Sequence, residues 1–188
     1  MQPLDLVRIV ADLCGRMKLA YFVTGSVASS YYGKYRTTQD VDVVVELPSW
    51  NVREFCEAFP TPDWYVSPEA AMEAARGPGM FNVIHVPSAL KIDVIVFNGT
   101  PFSESRLGRA RPVNLPDGGA ALFSAPEDVI LSKLDFFRQG GSDKHLTDIA
   151  GIFQVSGSEL DLAYIEHWAL RIGVRDQWNL IKQRLGMP

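Results

Sequence analysis

Tyr21-Phe-Val-Thr-Gly-Ser-Val-Ala-Ser-Ser-Tyr-Tyr-Gly-Lys-Tyr-Arg-Thr-Thr-Gln-Asp-Val-Asp-Val-Val-Val45 reads as a strand, a Gly-Ser turn, a short helix and a second strand that opens on two aspartates. Alternation along a strand sends Asp40 and Asp42 to one face and Val41, Val43 and Val45 to the other. Two carboxylates roughly 6–7 Å apart along a backbone suit a hard cation such as Mg2+. The Gly25-Ser26 turn, entering a helix, offers backbone N–H groups to a phosphate. An acid pair beside an anion-binding turn points to metal-assisted phosphate chemistry.

Working outward, apolar residues Leu6, Val10, Leu13 and Met17 recur at helical spacing and predict an amphipathic helix over about residues 3–18. The apolar run 19–24 reads as a buried strand, 26–33 as a short helix, and 41–47 as the strand carrying the acid pair. Pro48 ends that strand, and Ser49 is placed to cap a helix reaching about residue 59. Prolines punctuate a short extended piece after residue 60, and residues 68–76 form one small alanine-rich helix. Residues 80–86 and 90–97 then make an antiparallel hairpin across a Pro-Ser connection.

Residues 98–122 are rich in Gly, Pro and Arg and yield a single strand near 111–115. Composition changes at Phe123. Ser124-Ala-Pro-Glu127 has the Ser-x-x-Glu capping pattern with a proline in the first turn, and helices follow over about 126–138, 143–153, 159–172 and 175–185. The expected division is residues 1–122, a mixed α/β portion, and residues 123–188, a helical region closing a cleft.

Composition narrows the classes. With 188 residues, 47% of them hydrophobic and 21% charged, the chain can build an ordinary core. A formal net charge of −4 argues against a broad basic surface, although Lys34 and Arg36 flank the acid pair and Arg106, Arg109 and Arg111 cluster later. Cys14 and Cys56 lie in expected helices and read as reduced, buried thiols of a cytoplasmic protein. Asp5, Arg8 and Asp12 break any apolar leader, and no run approaches the roughly 20 apolar residues of a membrane span.

Three further residues bear on the chemistry. Asp93 interrupts the apolar run 90–97, where a charge is costly unless it is paired or binds metal. Lys91 projects to the same side, so a plain ion pair is the alternative to a third metal ligand. Lys133, three residues after Ile130 and four before Phe137, sits on an apolar helical stripe. It either snorkels to water or offers a point charge to a triphosphate. Asp148 on the next helix orients Lys133, accepts a substrate proton, or is a surface residue. His85, His145 and His167 show no ligand spacing, and neither a Gly-x-x-x-x-Gly-Lys-Ser/Thr loop nor a Gly-x-Gly-x-x-Gly turn occurs.

Gly25-Ser26, Asp40-Val-Asp42 and Asp93, in that order, resemble the nucleotidyltransferase superfamily with its polymerase-beta-like fold. Within it, Arg36-Thr-Thr-Gln-Asp-Val-Asp42 is similar to the Arg-x-Thr-x-Asp-x-Asp form of AbiEii-type abortive-infection toxins. Lys91-Ile-Asp93, the segment from Pro126 to Lys133, and Lys144-His-Leu-Thr-Asp148 resemble their later motifs. The resemblance spans roughly residues 21–153. It implies an α+β fold, a mixed central sheet flanked by helices, followed by a C-terminal helical bundle.

The implied reaction is transfer of NMP from an NTP such as ATP to an acceptor hydroxyl, with Asp40, Asp42 and Asp93 holding two Mg2+ ions, or Mn2+ in their place. Gly25, Ser26, Arg36 and Lys133 would bind the nucleotide, with Lys133 and Asp148 also in the catalytic set. Expected acceptors are tRNA, another RNA or a small molecule, and expected partners an antitoxin or a second copy of the chain. The rival readings are a non-catalytic, antitoxin-like module of the same fold and an antibiotic-modifying enzyme.

Overall fold

The computed structural model describes residues 1–116 and 118–187. The chain divides into two compact units, one of Met1–Val27 with Thr37–Phe123, the other of Ala28–Arg36 with Ser124–Pro188.

The first unit opens with helix α1 (Pro3–Met17), which buries Leu6, Val7, Val10, Leu13 and Cys14 on the stripe expected from the sequence. Strand β1 (Tyr21–Val23) follows, then the start of helix α2 (Gly25–Tyr32), strand β2 (Asp40–Val45) and helix α3 (Val52–Glu57). Strand β3 (Trp64–Val66), helix α4 (Pro68–Ala74) and the hairpin of β4 (Met80–His85) and β5 (Leu90–Val96) come next. The unit closes with helix α5 (Pro101–Gly108), β6 (Arg111–Asn114) and β7 (Ala120–Phe123).

Among the described residues seven strands join one mixed sheet in the order β3-β4-β5-β2-β1-β7-β6. The β2–β5 and β1–β7 pairs are parallel and the remaining neighbours antiparallel. The mixed sheet and the β4–β5 hairpin match the sequence expectation. Val41, Val43 and Val45 are fully buried, so register on β2 is set by an apolar row that cannot turn outward.

Within the first unit, differences fall in two places. Helix α5 and strand β7 lie in the stretch read as one strand amid irregular chain. Ser49 does not cap α3; it begins a 3-10 turn (Ser49–Asn51) whose N-cap is Pro48.

Besides the remainder of α2, the second unit contains among the described residues the α-helices α6 (Pro126–Gly140), α7 (Asp143–Ser156), α8 (Leu162–Arg171) and α9 (Arg175–Leu185). Their core holds Ile130, Leu134, Ile149, Ile152, Ile165 and Trp178, each fully buried or nearly so. The expected Ser124 cap is displaced by one residue. Ala125 is the N-cap of α6, with Pro126 in the first turn and no side-chain cap bond. Glu127 Oε1 instead accepts the Asp161 backbone N–H at 3.0 Å, tying α6 to the start of α8.

Residues 28–36 belong to this unit because two glycines let backbones meet. A Cβ on Gly33 would stand 2.8 Å from the Ile152 nitrogen, and one on Gly151 would stand 3.2 Å from the Lys34 nitrogen. The Ser156 hydroxyl donates to the Tyr32 carbonyl at 2.7 Å. The helical unit is therefore discontinuous in sequence, a feature outside the two-segment division read from composition.

Both cysteines are free and buried. Burial pushes the Cys14 thiol up to about 12 and also raises Cys56. At neutral pH neither supplies much thiolate. A disulfide-exchange reagent is expected to leave both unmodified in the native protein and to titrate both in denaturant; rapid native labelling of Cys14 would contradict this packing. Among the described residues no helix is long and apolar enough to cross a membrane.

Candidate active site

The end of β1 and the start of β2 are joined by the Thr24 N–H, which donates to the Asp42 carbonyl at 2.9 Å. Immediately afterwards Gly25 turns the chain into α2 with φ +62, where an L side chain is strained. Space makes a second demand. A Cβ at Gly25 would lie 1.9 Å from Asp42 Oδ2, so the carboxylate occupies the volume a side chain would need. Gly25 thus seats the Asp42 carboxylate against the start of the helix that carries Ser26.

The parallel β2–β5 register pairs Asp42 with Asp93 and Asp40 with Lys91. Residues paired across adjacent strands share a face, so Asp40, Asp42, Lys91 and Asp93 form a two-by-two block on the sheet. Thr38 shapes the entry to this block: its hydroxyl donates to the Asp40 carbonyl at 3.1 Å.

Asp93, with a side chain only 12% exposed, is held from two directions. The Asn82 amide, opposite it on β4, donates to Oδ1. The Lys91 ammonium lies 3.1 Å from its Oδ2 and 3.7 Å from Asp40 Oδ1. Burial alone would lower the Lys91 pKa, but Asp93 and Asp40 outweigh it and hold the ammonium above its ordinary value.

No group of three or more His, Cys, Asp or Glu side chains among the described residues is disposed to hold a metal ion. The donor chemistry nonetheless fits a hard cation, since three carboxylates share one face of two neighbouring strands. With Asp93 turned onto Asn82 and Lys91, they stand side by side rather than converging.

Sequence reasoning missed Asn82, and it placed Arg106 only in a basic cluster with Arg109 and Arg111. The Arg106 guanidinium donates to the Thr24 hydroxyl at 3.3 Å and lies over the Phe22 and Phe102 rings at 4.8 and 5.5 Å. It reaches the residue before Gly25 because α5 exists. Thr100 accepts from the Ser103 N–H, with Pro101 in the first turn and Glu104 behind it. That helix-start signal was present in the sequence. Of the three clustered arginines, Arg111 is exposed while Arg106 and Arg109 are half-buried.

The second unit assembles its own charged cluster. The buried Lys133 donates to Asp148 Oδ2 at 2.6 Å, and Arg36 Nε lies 3.4 Å from Asp148 Oδ1. Asp148 is thus shared between two cations. Asp148, read as a partner of Lys133, a proton acceptor or a surface residue, is paired with Lys133 here. His145 stacks on Phe136 at 5.7 Å. Burial first, then Lys133 and Lys144, lower its pKa against the opposing pull of Asp148.

A base whose folded pKa is depressed binds fewer protons folded than unfolded. Its contribution to stability is therefore full above about pH 6.5 and is lost as pH falls from there towards the lowered folded value. Denaturant midpoints from about pH 8 to 5 should fall more steeply for wild type than for His145→Gln. Parallel curves would refute this.

With the geometry in view, comparison with known proteins is informative. No family model and no curated protein sequence matches the chain. Solved structures do. An antigenic nucleotidyltransferase-like protein from Paracoccidioides brasiliensis aligns with a TM-score of 0.54 at 18% identity, over 82% of this chain and 75% of its own. The antibiotic-resistance factor ANT(2'')-Ia aligns with a TM-score of 0.58 at 14% identity, over 97% and 96%.

The fold is that of the nucleotidyltransferases.

The lincosamide antibiotic adenylyltransferase LnuA, solved with lincomycin bound, shares this nucleotidyltransferase fold with a TM-score of 0.53 at 13% identity, over 78% of this chain and 94% of its own. A further ANT(2'')-Ia structure is a complex with adenylyl-2''-tobramycin.

Proposed function

We propose that the chain transfers a nucleoside monophosphate from an NTP to an acceptor hydroxyl. The observation carrying this reading is the in-register pair Asp42–Asp93, with Asp40 on the same face and Asp42 seated on Gly25. Asp40, Asp42 and Asp93 would hold Mg2+, which would neutralise phosphate charge when bound. The chain's own groups account for the remaining steps. The start of α2 at Gly25-Ser26 receives phosphate oxygens through backbone N–H groups. In the second unit, Lys133 and Arg36, which share Asp148, would offer positive charge to an anion. A carboxylate of the trio accepts the acceptor's proton as its oxygen bonds to the α-phosphorus; the bond to the β-phosphate oxygen breaks and pyrophosphate leaves.

We propose a small polyhydroxylated molecule as the acceptor. Arg106 is engaged by Thr24 and two aromatic rings, and the net charge is −4, so a broad basic groove for RNA has little to build on. The ANT(2'')-Ia and LnuA structures, with adenylyl-tobramycin and lincomycin, agree with this choice. The toxin-like reading of Arg36-Thr-Thr-Gln-Asp-Val-Asp42 keeps tRNA as the other outcome. Labelled NTPs should be offered with aminoglycosides, lincosamides and tRNA, and product mass measured. An acceptor gaining one NMP supports the reading. No transfer in any combination, with no nucleotide binding by calorimetry, would favour a non-catalytic binding module.

A further inference from the structure

Lys91 stands inside the carboxylate block, not at its margin. It pairs with Asp40 in the β2–β5 register, and its ammonium lies 3.1 Å from Asp93 Oδ2 and 3.7 Å from Asp40 Oδ1. The other Asp93 oxygen accepts from Asn82. With its side chain only 12% exposed, Asp93 cannot exchange Lys91 for bulk water without loss. The charges are also telling. A second dication would need Asp93, whose Oδ2 already holds the ammonium at 3.1 Å, and would meet its repulsion.

We propose that Lys91 takes the place of one of the two metal ions, so that this chain binds a single divalent ion at Asp40 and Asp42 with the ammonium fixed beside Asp93. This rests on the nucleotidyl-transfer reading and sharpens it. The lysine serves as a positioning residue: it holds the Asp93 carboxylate in place, the task a second ion would otherwise perform, without an ion to lose when divalent concentration falls.

The test is a count of bound Mn2+ by electron paramagnetic resonance, with a non-hydrolysable ATP analogue held at one per chain. Wild type is expected to bind one Mn2+ per chain and Lys91→Met two. Lys91→Arg, which keeps the charge, should bind one. Circular dichroism checks that each variant folds, and Lys91→Gln replaces Lys91→Met should the latter not fold. Two ions in wild type overturn the inference, because they show that the ammonium swings aside. One ion in wild type, Lys91→Met and Lys91→Gln alike also overturns it, while leaving nucleotidyl transfer standing. No ion in any of them overturns both.

Discussion

Asp42→Asn is expected to cut pyrophosphate release about a thousandfold, equivalent to about 4 kcal/mol of lost transition-state stabilisation. The substitution keeps size and shape, so the packing of residue 42 on Gly25 survives while one of three clustered charges is removed. Of those three, Asp42 alone both pairs with Asp93 across the strands and touches the start of α2. Initial rates at saturating NTP, Mg2+ and acceptor, with circular dichroism to verify the fold, decide the matter. Equal rates for the two proteins would remove the carboxylate block from the chemistry.

Lys133→Met should act on stability as well as on activity. Lys133 and Asp148 expose only 5% and 9% of their side chains, so truncating one leaves the other charged in a poorly solvated place. Breaking such a pair costs roughly 3–5 kcal/mol, and Arg36, at 3.4 Å from Asp148, argues for the lower end. A loss of about 3 kcal/mol corresponds to a fall of roughly 6–12 °C in Tm for a chain of this size. The double variant Lys133→Met with Asp148→Leu should recover much of it, because neither charge of that pair then stays buried without the other. Thermal unfolding of wild type and the two variants tests this. A double variant no more stable than Lys133→Met would mean that the pair is not the source of the loss.

The carboxylate block was legible because it depends on the two-residue period of a strand. Asp40-Val-Asp42 and Lys91-Ile-Asp93 each declare a face, and an aspartate inside an apolar run demands a partner. Glycines at 140–141, 157 and 173 likewise marked the joints between the C-terminal helices. The remaining features depend on contacts the local pattern does not carry. Strand β7 is four residues after two glycines, too short to show alternation. Asn82 became a partner of Asp93 only once the β4–β5 register was set. The allegiance of residues 28–36 rests on Gly33 and Gly151 meeting at backbone distance. Ser124 fits the capping pattern, yet Glu127 is drawn away to the Asp161 amide.

The paired strands also govern which genetic changes the chain can survive. Asp40, Asp42, Lys91 and Asp93 owe their common side to counting, since alternate residues face alternate ways. A single codon lost or gained between Thr38 and Val43 would exchange aspartates for valines, turning carboxylates into the core and apolar groups outward. Replacements on this strand are survivable in kind; insertions and deletions are not. By contrast, the connection at residues 98–100 lies between β5 and α5, past the last ladder bond from the Phe97 N–H to the Val45 carbonyl, and can lengthen without disturbing that count. Homologous chains should therefore vary in length there while keeping an unbroken interval from Thr38 through Val45.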